Sequence, residues 1–171
     1  MIDKNKILNS SGPKRISKYL AANNLDINLV VLDTTARTAV DAAKSIGVQV
    51  GAIVKSLVFN IKEDLTGNDR MILALISGDR KCDTLALEKL TGYKGKLLRP
   101  DADFVKSKTG YSIGGVSPLG LPNDAEIYID KYLNRFDEIW AAAGHPFCVY
   151  KCTYNDLVSH SNGIESDLIS I

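Results

Sequence analysis

A chain of 171 residues, 45% hydrophobic and 24% charged, has ordinary globular composition and enough length to bury one core. Its 21 Lys and Arg against 20 Asp and Glu leave a formal charge of +1, which excludes a polyanion-coating basic protein and an acidic disordered tail alike. No apolar run approaches the roughly 18 residues of a membrane span and Met1 to Arg15 lacks the apolar core of a secretory signal, so a cytoplasmic protein without membrane attachment is expected.

Turn signals recur without internal repeat or low-complexity linker, which points to one domain over 1–171, with 1–10 as a candidate flexible N-terminus. Ser11-Gly12-Pro13 opens a helix to about Asn24, its apolar face made by Ile16, Tyr19 and Leu20. Leu29 to Leu32 reads as a short buried strand, and Thr38 to Ile46 as a helix closed by Gly47. A strand from about Ala52 to Ile61 turns at Asp64 to Asp69 into a second strand, Met71 to Ile76. Asp83 caps a helix over Thr84 to Thr91 that Gly92 ends; Lys96 to Arg99 is a short strand, and Asp101 caps another short helix. Four glycines and a proline between Thr109 and Gly120 forbid regular helix, so that segment is a shaped loop. Glu126 to Ile129 and Glu138 to Ala142 read as strands around a helical turn at Lys131 to Phe136. Gly144-His145-Pro146 breaks the chain before a strand at Pro146 to Lys151, and Thr153 caps a last helix. The predicted hairpin excludes a purely parallel sheet, so the expected class is mixed α/β.

Three cysteines, Cys82, Cys148 and Cys152, form no C-x-x-C pair, and with only two histidines, His145 and His160, no zinc spacing is recognisable. A strand at Phe147 to Lys151 would hold Cys148 and Cys152 ~13 Å apart, too far for a disulfide, so buried thiols and no metal are expected. Charge is uneven along the chain. Arg80 to Lys108 holds eight basic and four acidic residues, and Asp124 to Ile171 three basic and eight acidic. The basic middle suits either a polyanionic ligand or a solvated helix face.

Lys55 stands inside the apolar run Val48 to Ile61, where an ammonium needs water, a cavity or an anion. With Val54 and Ser56 on one face of the strand, Lys55 lies on the other beside Ile53 and Leu57. The loop Gly110 to Gly120 can present consecutive N–H groups to an anion or carbonyl, or serve only as a tight turn; it matches neither a Walker loop nor a dinucleotide fingerprint. His145, on its predicted loop, could act at neutral pH or be merely exposed. For Ser112, Ser117 and Cys148 no triad order is visible.

Together, Val54-Lys55-Ser56-Leu57, the loop Thr109 to Gly120, Ile129-Asp130 and Ala143-Gly144-His145-Pro146 resemble the YbaK and EbsC family, free-standing relatives of the editing domain inserted in bacterial prolyl-tRNA synthetases. The resemblance runs in order from about Ser11 to the last helix. It implies a single YbaK-like domain with a curved, mixed, largely antiparallel sheet flanked by helices. It also implies an aminoacyl-tRNA deacylase that needs no cofactor and acts on the acceptor end of mischarged tRNA(Pro) carrying alanine or cysteine, with prolyl-tRNA synthetase as a candidate partner. Lys55, Gly114, Gly115 and His145 would then be catalytic, and Ser56, Gly110, Tyr111, Val116, Ser117, Pro118, Asp130 and Gly144 would bind substrate. On this reading the loop N–H groups stabilise the oxyanion, Lys55 holds phosphate or ribose, and water attacks without a covalent intermediate. Some relatives carry Gly-Gly-Lys-Arg-Gly in place of Ala143 to Pro146 and Asn in place of Ser56; these departures favour the alanyl branch. A non-catalytic module binding an amino acid or a tRNA end is the alternative, and a hydrolase using His145 with Cys148 a third.

Overall fold

The computed structural model describes residues 2–62 and 67–171. Among them, six α-helices and eight strands form two sheets. Helices α1 (Lys4–Leu8) and α2 (Ser11–Ala22) precede strand β1 (Leu29–Val31), and α3 (Ala39–Ile46) leads through a 3-10 turn at Val50–Ala52 into β2 (Val54–Lys62). Then follow β3 (Asp69–Ser77), α4 (Thr84–Thr91), β4 (Leu97–Leu98) and α5 (Ala102–Thr109). After the glycine loop come β5 (Glu126–Asp130), a 3-10 turn at Lys131–Arg135, β6 (Ile139–His145), β7 (Cys148–Cys152), α6 (Tyr154–Ser161) and β8 (Ile164–Ser166).

The helices begin and end where local chemistry directs. Thr38, Asp83, Asp101 and Thr153 each accept a backbone N–H from the first turn of α3, α4, α5 and α6, and Gly47, Gly92 and Gly110 take the left-handed conformation that ends the first three. The apolar spacing of α2 buries Ile16 and Leu20.

The five-stranded sheet runs β4-β2-β3-β5-β8 and the three-stranded one β1-β7-β6, joined by a single bridge between Ile53 and Trp140. β2 and β3 pair antiparallel from Val54↔Ser77 to Lys62↔Asp69, while β5 joins β3, and β8 joins β5, in parallel. β3 is therefore central, which explains its unbroken apolar run: Met71 to Ile76 are all buried. The main core lies between the two sheets and gathers Val54, Val58, Leu73, Leu75, Ala141 and Tyr150; Phe59, Ile61, Ile72 and Ile76 pack on the opposite face against Leu87 and Ile169.

Several expectations are corrected here. Leu29 to Leu32 is an edge strand, with Val30 38% exposed. Within 1–10, residues Lys4–Leu8 form α1, which buries Ile7 against the main core. The turn expected over Asp64 to Asp69 falls at 64–66 outside the described residues. Gly144-His145-Pro146 does not break the strand: β6 continues through His145, which pairs with Cys148 across a turn at Pro146 and Phe147, and a bulge between Ala142 and His145 absorbs Gly144 at φ +83°. A close backbone crossing explains the bulge. A Cβ on Gly12 would stand 1.9 Å from the Gly144 carbonyl oxygen, and one on Gly115 would stand 2.8 Å from the His145 nitrogen. Helix α2, strand β6 and the glycine loop thus meet backbone to backbone at Gly12, Gly144 and Gly115.

Candidate active site

Strand β2 has a partner on only part of one edge. β4 pairs with Asn60 and Ile61 and ends before Pro100, which carries no N–H to extend a ladder. On the other side, the Ser77 N–H donates to Asp130 Oδ2 at 3.1 Å, so the main chain of Ser77 turns away from β2. Antiparallel alternation then directs the backbone of Lys55 toward Ile76 and leaves that of Ser56 and Val58 facing the open edge. The same parity places Asn60 opposite Leu98 of β4.

Over this edge lies a cavity of about 420 Å³. Its walls are Ala36 to Ala39 at the start of α3, Ile53 to Leu57 on β2, Arg99 after β4, Ile113, Gly114 and Val116 of the glycine loop, and Ala142 of β6. Lys55, Ser56, Gly114 and Val116 therefore share one site. A side pocket of about 40 Å³ opens beside it, lined by Ala36, Ala42, Ile53, Val54, Gly114, Trp140 to Ala142, His145, Cys148 and Val149. Its lining is mainly apolar, with the His145 imidazole among it. The Ser56 hydroxyl is buried and has no hydrogen-bond partner among the described residues.

Lys55 is half-buried, and its ammonium donates to the Arg80 carbonyl. Burial lowers its pKa from the usual lysine range, and the negative charges of Asp79 and Asp130 only partly offset that. Asp79 is held by Arg135 at 2.8 Å and by the Ser77 hydroxyl, and buried Asp130 also accepts the Tyr132 N–H. Asp130 thus stands behind Lys55 as a charge and turn cap, outside the cavity wall.

The remaining candidates divide. Gly115 lies in the loop, but its N–H donates to the Ser112 carbonyl and the space its Cβ would take belongs to β6; it shapes the loop and does not present a donor to the cavity. Gly144 serves the helix crossing, and Gly110 the end of α5. Tyr111 is buried, donates its hydroxyl to Leu119 O at 2.7 Å and lies beneath the Arg15 guanidinium. Ser117 is buried and its hydroxyl accepts the Leu119 N–H at 3.2 Å. Pro118 stiffens this stretch. These residues build the loop, and Ile113, Gly114 and Val116 are its cavity-facing members. Sequence reasoning missed Arg37 and Arg99; the basic cluster from Arg80 to Lys108 contained Arg99, whereas Arg37 carried no signal.

His145 Nδ1 accepts the Phe147 N–H at 3.2 Å, which leaves the proton of the neutral ring on Nε2, and burial lowers the pKa of the ring. Neither nitrogen is then a free base toward the side pocket. The cysteines are free thiols, and burial pushes those of Cys82 and Cys148 up to about 11 and that of Cys152 up to about 12. Burial of Cys148 disfavours the thiolate that a His145–Cys148 hydrolase would need. Among the described residues no group of His, Cys, Asp and Glu is placed to hold a metal, and no helix is long and apolar enough to cross a membrane.

The model of the aminoacyl-tRNA editing domain matches residues 33–159. An uncharacterised protein of Bacillus subtilis, YwhH, is 32% identical over 86% of this chain and 90% of its own length. EbsC of Enterococcus faecalis, provisionally named a Cys-tRNA(Pro)/Cys-tRNA(Cys) deacylase, is 28% identical over 74% of this chain and 73% of its own. A solved structure provisionally described as a trans-editing enzyme for prolyl-tRNA synthetase superposes with a TM-score of 0.82 at 32% identity, covering 94% of this chain and 98% of that one.

Proposed function

The chain belongs to the aminoacyl-tRNA editing domain family, and from that premise we propose that it is a cytoplasmic trans-editing deacylase for mischarged tRNA(Pro), with alanine favoured over cysteine as the aminoacyl group removed. The side pocket carries the reading of a small aminoacyl side chain: it is small and lined mainly by apolar side chains. The methyl of alanine and the thiol of cysteine both suit it, and the choice of alanine rests on Ser56 and on Ala143 to Pro146, where some relatives carry other residues.

With the aminoacyl side chain in that pocket, the ester carbonyl lies between the open edge of β2 and the turn at Gly114. Water adds to the carbonyl carbon, and the carbonyl oxygen takes up the negative charge facing N–H groups of Gly114, Val116 and Ser56. The intermediate collapses by breaking the bond to the ribose oxygen, which leaves with the proton that the water lost; the products are a free amino acid and an uncharged tRNA. The ribose hydroxyl beside the ester can carry that proton, so no protein base is required. Lys55, released from Arg80, supplies a positive charge to the terminal ribose or its phosphate.

The test is purified protein incubated with a panel of tRNAs charged with alanine, cysteine, serine and proline. Turnover on alanyl-tRNA(Pro) above the others is expected. Retention of every ester with tight binding would instead establish a non-catalytic module, and preference for the cysteinyl ester would overturn the choice of alanine.

A further inference from the structure

Three cations and no carboxylate stand in the wall of the large cavity: Lys55, Arg37 and Arg99. Lys55 is engaged with Arg80, but the two arginines are exposed and form no ion pair among the described residues. They come from different elements. Arg37 precedes α3, and Arg99 follows β4 with its guanidinium 5.5 Å from the centre of the Phe59 ring, a contact that fixes its stem and leaves N–H groups for an oxyanion. Ile113 of the glycine loop, in the same cavity wall, is 58% exposed.

We infer that Arg37 and Arg99 form a phosphate clamp at the cavity mouth that grips the sugar-phosphate backbone of the single-stranded 3′ end, with Ile113 as an apolar rest for its terminal base. The inference deepens the deacylase reading, which supplies what enters the cavity. It assigns the phosphates to two side chains outside the aminoacyl pocket. Guanidinium suits the task because its fork of donors binds two phosphate oxygens at once, and because its charge is constant across physiological pH. The isoleucine would lose its exposure only in the complex, which accounts for a large apolar side chain at so open a position.

The experiment uses the full chain and the Arg37→Ala/Arg99→Ala variant, with thermal melting to show that both fold. Binding of an uncharged acceptor-stem RNA with a single-stranded 3′ end is followed by fluorescence anisotropy over a salt series. Each lost phosphate contact should reduce the slope of log affinity against log salt by ~0.7, or ~1.4 for the pair, and Arg37→Lys/Arg99→Lys should restore most of it. In deacylation, the Ala pair should raise KM for alanyl-tRNA at least ~10-fold more than it impairs hydrolysis of the alanyl ester of adenosine, which has no phosphate. An unchanged salt slope, or equal losses on both esters, would overturn the clamp. Failure of the wild-type chain to hydrolyse either ester would overturn the deacylase reading while the salt slope still decided the clamp.

Discussion

Replacing Lys55 should separate function from stability. The lysine is half-buried, its ammonium donates to the Arg80 carbonyl, and burial outweighs the attraction of Asp79 and Asp130 in setting its pKa below the usual lysine value. The charged form is thus less favoured in the fold than in water, so Lys55→Met removes a charge the fold tolerates poorly and should leave stability at neutral pH level or slightly raised. Activity should respond in the opposite direction. A charged hydrogen bond made in the transition state is worth ~1.5–3 kcal/mol, which corresponds to about 10- to more than 100-fold in rate. The sign of the pH dependence provides an internal check. Between the depressed pKa of the folded chain and the ordinary value of 10.5, the unfolded chain binds more protons at this site, so the wild type gains stability from it as pH rises through that window and the variant does not. Single-turnover deacylation, with urea melts from neutral to alkaline pH, measures both effects. A folded Lys55→Met protein within about twofold of the wild-type rate would refute the transition-state role, and an identical pH slope in the two proteins would refute the argument from burial.

Gly144→Ala should destabilise by ~2–5 kcal/mol, because the left-handed φ of +83° and the approach of a Cβ to 2.5 Å from the Gly12 carbonyl carbon act together. Gly47→Ala, at φ +82° with open space around it, incurs only the dihedral cost of ~1–2 kcal/mol; equal melting temperatures for the two variants would show that the crossing is not tight. His145→Ala should reorder the preference among alanyl-, cysteinyl- and seryl-tRNA with only a moderate loss of rate. A wild-type pH–rate limb near neutrality that disappears in this variant, with a ~10²- to 10⁴-fold loss, would instead make His145 the base.

The elements legible in the sequence were those that chemistry bounds locally. Asp83 and Gly92, Thr38 and Gly47, and Thr153 with its helix all stand where side-chain caps and left-handed glycines put them. β8 was missed because Ile164-Glu165-Ser166 is short and follows a helix end at Asn162; its pairing with Tyr128 to Asp130 is a long-range parallel contact with no local signature. The division into two sheets was hidden for the same reason, since the register that joins Ile53 to Trp140 spans about half of the chain. For the site, Lys55 and the glycine loop were found because an ammonium in an apolar strand and four glycines in twelve residues violate ordinary patterning. What composition could not distinguish was a glycine that lines the cavity from one that packs against backbone. Gly114 does the first, and Gly115, one residue later, does the second.

That one-residue difference bears on how the reaction is driven. A loop whose N–H groups are to meet a developing oxyanion must be held rigidly beforehand, because donors that reorient during the reaction lose much of their stabilising effect. Rigidity here comes from contacts away from the cavity: Gly115 against β6, the Tyr111 hydroxyl on Leu119 O, and the Ser117 hydroxyl beneath the Leu119 N–H. The opposite wall is a sheet edge, fixed by nine register pairs between β2 and β3. Two rigid backbones therefore flank the cavity, and the nearby imidazole already accepts the Phe147 N–H. The proposed catalysis by main-chain donors needs no free side-chain nucleophile or base, in keeping with Ser117, Cys148 and His145 being occupied with structural hydrogen bonds or burial, while Gly114, Val116 and Ser56 line the cavity beside the cations Lys55, Arg37 and Arg99.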